Sequence, residues 1–122
     1  MSMLHQAFEI KRAQDVPEPI RARYEKLKKE WQADTRFVSS TTEIAMHLSY
    51  QKIIGMGPAV VPLILQDLSR EADHWFWALM SITDSNPVNP QNAGVPSAMA
   101  RDWLSWGAKN GYFWEPCSRN ES

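Results

Sequence analysis

The chain has 122 residues, 43% of them hydrophobic and 22% charged, which suits one folded domain with a real core rather than a disordered chain. Thirteen Lys and Arg against fourteen Asp and Glu leave a net charge of −1, so no overall field draws it to phosphate backbones or anionic membranes. The single cysteine, Cys117, cannot make an internal disulfide or a zinc site alone, and without a signal-peptide pattern or a run near the ~18 apolar residues of a membrane span, a cytoplasmic protein with no membrane association is expected.

Residues 1–18 are weakly patterned and read as an N-terminal extension, with a short helix around 7–13. In VPEP (16–19) the chain breaks and a helix starts. Proline is tolerated in a first turn, and Glu18 suits the positive end of the helix dipole. Ile20, Tyr24, Leu27 and Trp31 then recur at helical spacing, which predicts a helix over 19–33 with one apolar stripe. Ser40 and Glu43 match a capping box, so a second helix is expected over 41–56, with Ile44, Leu48 and Ile53 inward. Gly55 and Gly57 end it. Pro58 opens a third helix whose Val60, Val61, Leu63, Ile64, Leu65 and Leu68 make it apolar around most of its circumference, the mark of a central element. Pro62 must sit in or near its first turn or bend it, and it argues against a strand there. Asp73 is the expected N-cap of a fourth helix running to about Asp84. Residues 85–96, rich in Pro and Asn, read as a loop. A last helix over 97–109 stops at Asn110-Gly111-Tyr112, and 113–122 read as a tail that Phe113 and Trp114 can tie down. The expected fold is all-α, a compact bundle of about five helices forming one domain over 19–112.

The stretch DHWFWALMSIT (73–83) concentrates large side chains. Trp75, Leu79 and Ile82 share a core-facing stripe, and Phe76, Met80 and Thr83 widen it. Trp77 falls on the other side with His74 and Ser81. Trp103 and Leu104 read as core, and Trp106 lies at the edge of their stripe. Core packing is the simpler reading of any one of these rings. Six tryptophans are nevertheless hard to bury in a small domain, so His74, Trp77, Ser81 and Trp106 form a candidate protein-binding surface, with the 85–96 loop at its margin.

Arg21, Arg23, Lys26, Lys28 and Lys29 form a candidate basic patch. Glu25 and Glu30 interrupt it and can pair with it, so a solvated helix face is the plainer reading and nucleic-acid binding is disfavoured. Glu71 and His74 make one E-x-x-H pair, whereas helical di-metal sites use two such pairs and two further glutamates. His5 and His47 are isolated, so no metal or cofactor is expected. Ser81 lies two helical turns from His74, Cys117 has no histidine nearby in sequence, and no G-x-S-x-G, P-loop or G-x-G-x-x-G occurs. No catalytic residue is assigned, and the chain does not read as an enzyme.

Gly57, Ala59, Val60, Pro62, Leu63, Ile64 and Leu68 resemble the helical hairpin of HEAT-type repeats. One unit is visible where such folds stack several, so the resemblance implies a HEAT-like hairpin within the bundle. The segments YQKIIGMGPAVVPLIL (50–65), DHWFWAL (73–79), IT (82–83), NPV (86–88) and WLSWGAKNGY (103–112) resemble a family of small, uncharacterised helical bacterial proteins. That resemblance implies a bacterial origin and a helical fold and carries no activity. It also leads one to expect a proline after His47, where Leu48 stands, which weakens the case for a helix break there. The leading functional expectation is a non-catalytic protein-binding or adaptor module, able to bind another protein or itself. The alternatives are a small regulatory nucleic-acid-binding protein using 21–29, an antitoxin-like partner protein, and an enzyme whose polar cluster only the fold assembles.

Overall fold

A computed structural model describes residues 10–115 of the chain. The readings placed on His5, on the start of a helix near Ala7 and on Cys117 lie outside them. Among the described residues there are six α-helices and, apart from one isolated bridge, no β-structure, which gives the expected all-α bundle.

Helix α1 (Glu18–Asp34) carries Pro19 in its first turn and buries Tyr24, Leu27 and Trp31. The single helix expected over 41–56 is instead two, α2 (Thr41–Met46) and α3 (Leu48–Gly55). Ser40 opens α2 as its pattern requires, its hydroxyl accepting from the Glu43 amide at 3.3 Å. The break is at His47, whose ψ of 137° leaves the helical region. No proline is needed there, because the histidine ring supplies what the break costs. Its Nδ1 accepts from the Ser49 amide at 3.1 Å, and its Nε2 lies 2.9 Å from Asp34 Oδ2. An imidazole nitrogen thus serves as the N-cap acceptor of α3. The same break turns Leu48, expected inward, out to 66% exposure.

Gly57, at φ +78°, turns the chain from α3 into a 3-10 turn (Gly57–Val60) and then α4 (Val61–Arg70). Pro62 lies in the first turn of α4, where a missing amide hydrogen costs nothing. Val61, Pro62, Leu63, Ile64, Leu65 and Leu68 are all buried, so α4 is the central element. No single helix among the described residues is long and apolar enough to cross a membrane. Leu48–Gly55 with Gly57–Arg70 reaches that length only as a pair bent by 108°, and apart from exposed Leu48 most of their apolar side chains are core.

Helix α5 (Phe76–Thr83) starts later than expected, and Asp73 does not cap it. Asp73 Oδ1 accepts from the His74 amide at 2.7 Å and Oδ2 from Gln32 Nε2 at 3.0 Å. Trp75 occupies the capping position and has no acceptor to offer. The cap comes from another helix. The Tyr50 hydroxyl on α3 accepts from the buried Ala78 amide at 2.9 Å and donates to the His74 carbonyl at 2.8 Å. Burial pushes the Tyr50 phenol well above its usual range, which keeps it a donor. The ring of Tyr50 joins Trp31, Trp75 and Tyr24 in one buried cluster. Trp31 stands 4.9 Å from Tyr50 and 4.8 Å from Trp75, and Trp75 stands 5.8 Å from Tyr24.

Helix α6 (Pro96–Lys109) closes the bundle. Gly111 at φ +86° and the Tyr112 amide donating to Gly107 O at 2.9 Å end it in a Schellman motif. Helix α1 lies on α3, α3 on α5, and α4 on α6, while α4 and α5 meet less extensively. Residues flanking the helices pack into the fold. Arg12 and Phe113 form the isolated parallel bridge, with Phe113 N donating to Lys11 O at 2.9 Å and Ala13 N to Phe113 O at 2.8 Å. Residues 10–12 are accordingly not helical, and Ala13 and Val16 are buried.

Replacing Tyr50 with Phe keeps the ring and strands the Ala78 amide. Urea unfolding is expected to show a loss of about 1–3 kcal/mol, the cost of an unpaired buried donor. An unchanged midpoint would show that the hydroxyl contributes nothing.

Candidate functional site

The spacing within 73–83 sets up the site. Trp75 and Leu79 are buried, and Trp77 emerges on the opposite side at 40% exposure. Met80, expected to widen the buried face, is 39% exposed, because it lines an open groove between α5, α2 and α6. Beside these two side chains runs an apolar groove of about 290 Å³. Buried Ile44, Ala45 and Tyr50 form its floor, Trp77 and Met80 stand on one side, and Pro96 and Met99 on the other. A polar pocket of about 390 Å³ adjoins it, sharing Ile44 and His74 and presenting Arg36, Glu71 and Asp73.

Of the four residues expected to form a surface, His74 and Trp77 line the groove together. Ser81 is exposed on α5 but does not line it. Trp106 lies elsewhere. It is half-buried, stacks on Tyr112 at 5.6 Å and meets Trp103 edge-on at 5.2 Å, beside a separate hollow with Pro58 and Ile82. The Gly111 turn folds Tyr112 back over Trp106, so the four residues do not make one patch. Tyr50, Met80, Pro96 and Met99 were not singled out as site residues. The three-residue spacing of Trp77 and Met80 was the one available signal, since the other wall is brought in by tertiary packing.

The basic residues of α1 are largely engaged. Arg21 donates to the Ala13 carbonyl at 2.7 Å, and Lys26 meets Glu30 at 2.9 Å. Lys28 sits with its side chain only 16% exposed, 2.9 Å from Asp67 and 3.0 Å from Glu25. Burial works against its charge, but the bonds to Asp67 and Glu25 outweigh it and hold the ammonium above its usual range. Tyr24 donates to the same Asp67 carboxylate, which ties α1 to α4. Arg23 and Lys29 remain exposed.

Asp34, His47 and Ser49 have the composition of a catalytic triad without its wiring. The His47 nitrogen that would take a serine proton instead accepts the Ser49 amide. Ser49 is buried, and its hydroxyl donates to Glu30 Oε1 at 3.0 Å. Such a trio holds a helix junction and cannot deliver a nucleophile to a substrate. Among the described residues no three or more His, Cys, Asp or Glu side chains converge as a metal site would require.

The loop wall of the groove is pinned by Asp102 of α6. Its Oδ2 accepts from the Asn89 amide and from Asn92 Nδ2, both at 2.9 Å, which fixes the 3-10 turn Pro90–Asn92 ahead of Gly94 and Pro96. The Asn92 bond, then the Asn89 bond, hold the Asp102 carboxyl below its usual range. A carboxyl depressed in the folded state stabilises fully above its unfolded pKa and loses that contribution as pH falls through its folded pKa. Hydrogen exchange at the Asn89 amide is therefore expected to accelerate on acidification below the ordinary carboxylate range, after correction for intrinsic rates, and Asp102→Ala should produce the same loosening at neutral pH. Equal protection in the variant would show that the loop is held otherwise. No protein-family model, curated protein or solved structure matches the chain, so the groove is read from its own chemistry.

Proposed function

We propose that this chain is a non-catalytic helical module that binds protein through the groove between α2, α5 and the start of α6. The observation that carries this reading is the pair Trp77 and Met80, one helical turn apart and 40% and 39% exposed beside a floor of buried apolar side chains. A half-exposed tryptophan brings large area at low entropy cost, and such residues dominate interface energies. Methionines such as Met80 and Met99 adapt to a partner's shape. The volume of about 290 Å³ falls at the lower edge of small-molecule sites, roughly 300–1,000 Å³, and fits a partner's anchoring side chains. Arg36, Glu71, Asp73 and His74 supply a polar rim of mixed charge. Nucleic-acid binding through α1 is the weaker reading, since Arg21, Lys26 and Lys28 already serve internal partners. Kinship with small bacterial helical proteins and a cytoplasmic setting belong to the same proposal.

Trp77→Ala tests it. The unfolding free energy is expected to change by less than about 1 kcal/mol, while a partner captured from a native extract by the unaltered chain is lost. A loss of about 3–5 kcal/mol would make Trp77 a core residue. Retention of every partner would remove the groove from the function.

A further inference from the structure

The break between α2 and α3 rests on one nitrogen lone pair. The Ser49 amide is a donor at any pH, so His47 Nδ1, 3.1 Å away, accepts from it only while that nitrogen carries no hydrogen. The ring is then neutral with its hydrogen on Nε2, which donates to Asp34 Oδ2 at 2.9 Å. An Asn or Ser cap keeps its acceptor throughout the physiological range. Histidine does not, because it is the side chain that changes charge between about pH 5 and 8. A proton added at Nδ1 sets two hydrogens face to face and cancels the cap, while the Nε2 contact becomes an ion pair with Asp34.

The charged groups about the ring do not replace the lost acceptor. From α1, Asp34 bonds the far side of the ring, and Glu30 is taken up by the Ser49 hydroxyl and by Lys26. From α3, Lys52 acts on Glu30. Helix α2 contributes only Glu43, which is exposed. Ser49 itself is buried and stands in the first turn of α3, where no intrahelical carbonyl can accept from its amide.

We infer that the α2–α3 junction is a proton-sensitive joint, closed by neutral His47 and opened by its imidazolium. Ile44 and Ala45 lie just before the joint and Tyr50 just after it, and all three form the floor of the groove. Acidification through the range of histidine therefore loosens that floor, whatever the groove binds.

Ring and amide resonances of the isotope-labelled full chain, followed from about pH 8 to 5, test this. At the alkaline end the His47 ring is expected in its Nε2–H form. Protection of the Ser49 amide, corrected for intrinsic exchange, should fall about fivefold or more in step with protonation of that ring, as loss of a cap implies. The amide signals of Ile44, Ala45 and Tyr50 should shift with it. His47→Asn supplies an acceptor that does not titrate, so it should keep Ser49 protected and remove the step. His74 lines the same groove, and its own ring signals separate its protonation from that of His47. A neutral His47 ring carrying its hydrogen on Nδ1 overturns the inference. So does a Ser49 amide indifferent to protonation of His47, or a step that follows His74 or persists in His47→Asn.

Discussion

Helix α5 begins at a tryptophan, and a tryptophan cannot cap a helix. The Tyr50 hydroxyl meets that need from α3, holding the Ala78 amide and the His74 carbonyl at once. Much else depends on this contact. It fixes where α5 starts and how it is rotated, which sends Trp75 into the cluster with Trp31 and Tyr24 and turns Trp77 outward. Ring pairs of this kind contribute about 0.5–1.5 kcal/mol each beyond their buried area, and a satisfied buried amide avoids a penalty of about 1–3 kcal/mol. An exposed ion pair such as Lys26–Glu30 is screened by solvent and holds little, so the aromatic cluster and its hydroxyl set the architecture.

What was legible in the sequence was what is local. The stripe of Tyr24, Leu27 and Trp31 depends only on helical spacing. The Ser40 cap and the glycine turns at Gly57 and Gly111 depend only on backbone chemistry within a few residues. The apolar circumference of α4 identified it as central because a helix so composed has to be covered. Failures came where a side chain had two possible partners. Asp73 had the chemistry of a cap but is taken up by the His74 amide and by Gln32 of α1. His47 broke a helix by acting as its own replacement cap, a role that its residue type does not advertise.

The groove was only half readable for a related reason. His74 and Trp77 are neighbours on one segment, so their association follows from helical geometry. Ile44, Tyr50, Pro96 and Met99 come from three other parts of the chain and meet them only after packing. Trp106 is drawn away by Tyr112, which the Gly111 turn folds onto it. Lys28 looked like part of a patch because its carboxylate partner Asp67 lies on α4 and is invisible from α1 alone. The face that remains open after these pairings holds Trp77 and Met80, both exposed beside the apolar hollow, and it is there that protein binding is proposed.

Amide hydrogen exchange at Ala78 tests the role of Tyr50 most directly. This amide sits in the first turn of α5, where no intrahelical carbonyl can accept from it, and its partner is the Tyr50 hydroxyl. If that hydroxyl anchors the helix, the Ala78 amide exchanges only through global unfolding, with a protection free energy equal to the stability of the whole domain. Exchange at close to the rate of an unstructured amide would contradict the anchor and, with it, the orientation of α5 that places Trp77 at the surface.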